Sequence, residues 1–210
     1  MRLNPGTRPA RAVHFLEMPE QQRDSLVRTV AWRNIVANGA EYCALWRTSE
    51  GWLLRGNAVA APDEKTPLLV EYEVHCDPTW RTHRVQVKRT IGAEIRDLSL
   101  TVEAHGVWRL SGDERSDLRD CVDVDLGITP ATNTLPIRRL NLALGRSQDV
   151  TAAWIKFPDL TLEPLRQRYT RLGEKSYRYE SGTGFSANIV VDELGLAIDY
   201  AGGWERLAAK

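Results

Sequence analysis

Two carboxylates two residues apart, Asp123 and Asp125, open the stretch DVDLGITPATNTLPIRRL at positions 123–140. On an extended strand, side chains at i and i+2 leave from the same face. The two acids are therefore spaced as a general acid and base are spaced, or as two oxygen ligands of a calcium ion. No third or fourth oxygen donor follows at loop spacing, and exposed strand faces carry such pairs for solvation alone. His83 is the other candidate for proton transfer. The four histidines, His14, His75, His83 and His105, lack a second ligand at i+2 or i+4 apart from Asp77 beside His75, so no zinc pattern forms. Neither a metal nor a cofactor is expected. Cys43, Cys76 and Cys121 are too widely spaced for a CxxC pair and odd in number, as reduced apolar fillers would be. No GxSxG, P-loop or GxGxxG string occurs.

The rest of that stretch has the chemistry of binding. Pro130 and Pro136 fix backbone φ, while Thr129, Thr132, Asn133 and Thr134 can cap nearby backbone groups, which predicts a rigid, non-repetitive loop. Asp125 at its head and Arg138 and Arg139 at its tail either clamp this loop or face a ligand. The next strand is expected to start with Leu140 and Leu142. Seven tryptophans are many for 210 residues. Three of them, Trp32, Trp80 and Trp204, have an arginine close by, at Arg33, Arg81 and Arg206. An aromatic ring beside a cation suits a sugar or lipid head group, and it equally suits a core indole under a snorkelling arginine.

The elements that must position these residues are strands. From Leu26 onward the apolar period is two. Tyr42, Ala44 and Trp46 alternate against Glu41, Cys43 and Leu45, and Gly51 turns the chain into WLLRGNAV, which reads as a hairpin. Val70, Tyr72, Val74 and Cys76 share one face of a strand that Asp77 and Pro78 terminate. Residues 79–89 alternate with polar groups on both sides, as in a strand lining a wet concave face or a solvent-facing edge strand. Further short strands with turn-rich connections follow to Tyr200, and their spacing predicts antiparallel neighbours. The apolar fraction of 42% suffices for one core. We expect one all-β domain over 26–208, preceded by an arm over 1–25 rich in proline and arginine in which a short helix over Pro19–Val27 is compatible with the sequence.

Lys plus Arg and Asp plus Glu both number 28, so no net field gathers nucleic acid or anionic lipid, and nucleic acid is not an expected partner. No apolar run reaches the length of a signal peptide core at the N-terminus or of a membrane span anywhere, from which a soluble, cytoplasmic location is expected.

Four blocks, YEVHCDPTWRTHRVQV at 72–87, the 123–140 stretch, FPDLTLEPLRQRYTRL at 157–172 and VDELGLAIDYAGGWER at 191–206, occur in an order that resembles the bacterial putative glycolipid-binding family, formerly a domain of unknown function. The resemblance implies a single domain built on a large, strongly curled antiparallel sheet, a half-barrel or β-roll, similar to lipoproteins that carry glycolipids in a hydrophobic hollow. It implies a glycolipid or other amphiphilic small molecule as partner and supplies no catalytic residues. On this reading the mouth of the hollow is built from the 77–84 turn and the 129–138 loop, with Trp80, Arg81, Arg84, Thr129, Asn133 and Arg138 as ligand-binding residues. The rival reading is an enzyme on a small lipid-like or sugar substrate using Asp123, Asp125 or His83. A third is a protein that pairs its strand edges with a second copy.

Overall fold

The computed structural model describes residues 24–36, 38–61 and 65–210. They form fifteen strands and one α-helix: β1 Ser25–Asn34, β2 Gly39–Arg47, β3 Trp52–Ala60, β4 Leu68–Cys76, β5 Thr82–Ile91, β6 Glu94–Val102, β7 Trp108–Leu110, β8 Asp113–Glu114, β9 Asp123–Leu126, α1 Thr134–Leu140, β10 Ser147–Lys156, β11 Thr161–Arg171, β12 Ser176–Ser181, β13 Ser186–Val191, β14 Ala197–Tyr200 and β15 Trp204–Ala209. Most of the expected arm lies outside the described residues. Its last residue, Ser25, is already strand: Ser25 and Leu26 pair with Arg47 and Trp46 of β2, so the helix compatible with Pro19–Val27 is absent over 25–27.

All strands join one sheet in the order β8-β7-β6-β5-β4-β3-β2-β1-β15-β14-β13-β12-β11-β10-β9, and the sheet does not close. Two meanders run outward from the central pair β1 and β15. Every pairing is antiparallel except β9 with β10, where the sheet is mixed. That exception follows from connectivity, because the chain between β9 and β10 is long enough to cross over through a helix, as parallel neighbours require.

The sheet curls until its two ends meet. β5 and β9 lie far apart in the strand order, yet the Val124 amide donates to Thr82 Oγ1 at 3.1 Å. The Trp108 indole of β7 donates to the Cys121 carbonyl at 3.0 Å, and Arg115 beyond β8 donates to the Leu162 carbonyl of β11 at 2.9 Å. Leu45, Leu54, Val70, Val74 and Leu100 on the concave face pack against Leu118, Val124, Leu126, Ala131, Leu135 and Ile155. The hollow implied by the resemblance is therefore occupied by the chain's own 118–135 segment. The reason is simple: an open concave sheet of this size would leave those leucines in water, and burying each stabilises the fold by roughly 2–3 kcal/mol. A second cluster, Ile137, Tyr169, Tyr177, Tyr179, Ile189, Val191 and Ala197, fills the other lobe. No helix among the described residues is long and apolar enough to cross a membrane.

Two local readings change. The stretch expected to be a non-repetitive loop is helical, one 3-10 turn over Ala131–Asn133 running into α1. Pro136 does not oppose this, since it sits in the first turn of α1, where its missing N–H has no intrahelical partner to lose. Asn141 ends the helix in the left-handed region at φ 41°, and the next strand starts at Ser147 rather than at Leu140. In β5 the register shifts between His75↔Arg84 and Cys76↔Thr82. This bulge re-phases the alternation, so Thr82, Val85 and Val87 are buried while Arg84, Gln86 and Lys88 face solvent.

Candidate functional site

Where the free end of the sheet comes back on β15, a cleft of about 330 Å³ opens. Its walls carry five aromatic side chains, Trp154, Tyr179, Phe185, Tyr200 and Trp204. The sequence places them there by short-range means. The parallel register sets Trp154 beside Asp125, and Gly127 leaves room for the Trp154 indole, because a Cβ at that position would lie 2.9 Å from its Nε1. Gly202, at φ 76°, turns β14 into β15 so that Tyr200 and Trp204 become cross-strand partners. Tyr179, Phe185 and Tyr200 pack on one another with ring centroids 6.2–6.3 Å apart. Phe185 is exposed at the rim, while Tyr179 and Trp204 are buried in the wall.

The polar side of the cleft comes from β9 and the helical segment. Asp125 is half-buried, with Oδ2 accepting from Gln167 Nε2. Burial pushes its carboxyl up to about 6, against the pull of the Gln167 hydrogen bond. Asn133 is held by both ends of its amide: Oδ1 accepts from Tyr169 Oη at 2.8 Å and Nδ2 donates to the Pro130 carbonyl at 3.2 Å. Thr129 is buried, accepts from the Ala131 amide at 2.9 Å and donates to Glu41 Oε1 at 2.7 Å.

Glu41 is the least expected group in the core. It lies on the concave face of β2, 3% exposed, and its Oε1 also accepts from Tyr72 Oη. Its Oε2 is buried with no hydrogen-bond partner among the described residues. Tyr72 reaches it because Gly56 on the intervening strand β3 has no side chain; a Cβ there would overlap the phenol ring. Burial pushes Glu41 up to about 7, opposed by the Tyr72 and Thr129 hydrogen bonds.

The residues singled out from sequence fall in four places. Thr129 and Asn133 line the cleft. Trp80 is buried at φ 70° and stacks on Trp52 with ring centroids 4.5 Å apart; the Arg138 guanidinium lies 5.7 Å from its ring and donates to the Glu193 carbonyl. Arg81 is exposed and lines a separate groove with His83, His105 and Arg119. Arg84 is exposed and leans on His75. The six therefore do not converge on one mouth, and the β5 bulge is what separates Arg84 from Trp80.

Among the groups considered for catalysis, Asp123 and Asp125 lie on one face of β9 but have different surroundings. Asp123 is closed off by a bidentate pair with Arg139 of α1, whereas Asp125 opens to the cleft. His83 stands in the Arg81 groove, 4.0 Å from Glu50. No cluster of three or more His, Cys, Asp or Glu side chains suited to a metal occurs among the described residues. A larger groove of about 720 Å³ runs past Arg139, Asp149, Arg166 and Arg168, but no aromatic side chain among the described residues lines it. Arg139 and Arg168 there are already paired, with Asp123 and Asp149.

Sequence reasoning did not assemble Trp154, Tyr179, Phe185, Tyr200, Trp204 and Gln167 into one place, since they come from β10 to β15 and meet only through the curl. Glu41 did leave a signal. It is the one acid in the alternation Glu41, Cys43, Leu45, the face that the structure buries.

A family model described as "Putative glycolipid-binding" matches residues 29–206. The fold is similar to the crystal structure of a DUF1089 family protein from Pseudomonas aeruginosa, with a TM-score of 0.70 and 29% identity over 96% of this chain and 100% of the other. No curated protein matches the sequence.

Proposed function

The chain belongs to the family described as "Putative glycolipid-binding", and from that premise we propose that it is a non-catalytic binding protein that takes the head group of a glycolipid or similar amphiphile in the aromatic cleft. The observation that carries this is the combination of five aromatic side chains with Asp125, Thr129 and Asn133 in one cleft. Sugar rings have apolar C–H faces and polar edges, so they are held by aromatic walls plus a few fixed hydrogen-bonding groups. Val36 and Phe185 are both exposed where they line the cleft and offer apolar surface to the first carbons of a tail. The filled interior supports a head-group site at the surface over a closed lipid cavity.

The enzyme reading draws less support. Acid-base cleavage of a glycosidic bond uses two carboxylates flanking the bond. Asp125 is the only carboxylate among the described residues lining the cleft, and Asp123 is tied to Arg139. Native mass spectrometry of protein purified from its own host tests the proposal. A sugar-bearing amphiphile is expected to co-purify at one per chain with the parent protein and to be lost from Trp154→Ala. A bare parent chain, or equal loading of the variant, speaks against the cleft.

A further inference from the structure

Resting on the reading of the cleft as the head-group site, we propose that it selects an uncharged sugar and rejects anionic head groups. The described lining contains no Lys, Arg or His, and its single carboxylate is Asp125. A phosphate or carboxylate in the cleft would have no cation to pair with and would face a carboxylate in a poorly solvated site, where like charges repel strongly. Because burial pushes Asp125 up only to about 6, it carries its charge at pH 8.

The cations on the elements around the cleft are paired or lie outside its lining. Lys156 Nζ lies 5.2 Å from the Trp154 ring but pairs with Glu163 at 3.0 Å. Arg139 is held by Asp123, and Arg138 by the Glu193 carbonyl over Trp80. Arg166 lines the neighbouring groove and not the cleft.

A quaternary ammonium head group is the other chemistry that aromatic rings and a carboxylate recognise. It needs rings splayed around a void. Here the Tyr179, Phe185 and Tyr200 rings, 6.2–6.3 Å apart and tilted 53–83° to one another, pack edge against face and fill the space between themselves, so they leave no cage. A pyranose can lie with its C–H face on the exposed Phe185 ring while adjacent hydroxyls donate to Asp125 and accept from the hydroxyls of Ser181 and Thr183, which also line the cleft.

Calorimetry at pH 8 with three probes sharing one tail, each below its micelle-forming concentration, tests this: n-octyl β-glucoside, n-octyl β-glucuronide and octyltrimethylammonium. The parent is expected to bind the glucoside at least about tenfold more tightly than either of the others. Asp125→Asn is expected to weaken glucoside binding about tenfold, by replacing a charged acceptor with a neutral one, and to narrow the gap to the glucuronide. Glucuronide binding as tight as glucoside binding, both lost in Trp154→Ala, overturns the selectivity and leaves the cleft as the head-group site. Tightest binding of octyltrimethylammonium does the same. If no probe binds the parent, or Trp154→Ala binds all three unchanged, the selectivity and the head-group reading fall together. The comparison of probes on the parent needs no variant, so it stands even where a substitution perturbs folding.

Discussion

At pH 8, Glu41→Gln is expected to be more stable than the parent protein by up to about 3 kcal/mol, and at pH 4 to be nearly equal to it. The sign follows from the position of the two carboxyl equilibria. Burial holds Glu41 at about 7 in the folded chain, against a value of 4.5 when unfolded. Between those values the folded state keeps a proton that the unfolded state has lost, so stability declines as pH rises through the window and levels off above about 7. The stabilising share of the protonated group is thus fully present below 4.5 and gone at pH 8. Glutamine copies the protonated acid, because its Oε1 can still accept from Tyr72 and Thr129 and its amide nitrogen occupies the site of Oε2, which has no partner among the described residues. Urea unfolding from pH 4 to 8 measures the effect. Asp125 titrates in the same direction, so a shallower slope remains in the variant. Identical pH profiles for variant and parent would show that Glu41 is ionised throughout and that water or another group solvates Oε2.

The second large effect falls on the pair that docks α1. Arg139→Ala is expected to cost about 3–5 kcal/mol at pH 8, because the Asp123 side chain, 2% exposed, is left charged without a partner. Burial already raises Asp123, with the Arg139 hydrogen bonds and charge pulling it back, so even the intact pair does little more than offset its own desolvation. Removing the arginine leaves burial opposed only by the more distant charge of Arg81. The loss should therefore shrink as pH falls and Asp123 takes up a proton. The double change Asp123→Leu with Arg139→Met should recover most of the stability, since a well-packed apolar pair replaces two buried charges. Denaturant midpoints for the three proteins decide this; a loss that is the same at pH 5 and pH 8 would mean that Arg139 acts through packing and not through its charge.

Much of the fold is legible in the chain because strand alternation is a local signal. The face Val70, Tyr72, Val74, Cys76 and its stop at Asp77 appear as read, with Asp77 Oδ1 capping the Thr79 and Arg81 amides. Where the sequence misleads, a non-local contact decides. The bulge opposite His75 reverses the phase at Thr82, and no single-strand pattern shows an extra residue that only the partner strand exposes. Thr132, Asn133, Pro136 and their neighbours have the composition of a turn, yet Ala131, Leu135 and Ile137 supply an apolar stripe that two lobes bury from opposite sides. Tertiary burial of that stripe outweighs weak helix propensity.

The site was legible only in part, for the same reason. Thr129 and Asn133 stand in the cleft because they travel with Asp125 on one continuous stretch. Trp80 beside Arg81 looked like a ring-and-cation site, but the cation over its ring is Arg138, and the ring is stacked on Trp52 and buried. The aromatic wall depends on the sheet curling β9 and β10 toward β14 and β15, which no spacing within a strand announces.

The indole N–H resonances of the tryptophans provide the most direct test, because the side chains occupy distinct environments. Trp32 and Trp108 donate to the Ala197 and Cys121 carbonyls deep in the core, Trp52 and Trp80 stack on each other, and Trp154 and Trp204 line the cleft. On titration with n-octyl β-glucoside, saturable shifts are expected at Trp154 and Trp204 with Trp32, Trp52, Trp80 and Trp108 unmoved. Shifts at Trp52 and Trp80 with Trp154 and Trp204 silent would place the ligand at the 77–84 turn and not in the aromatic cleft.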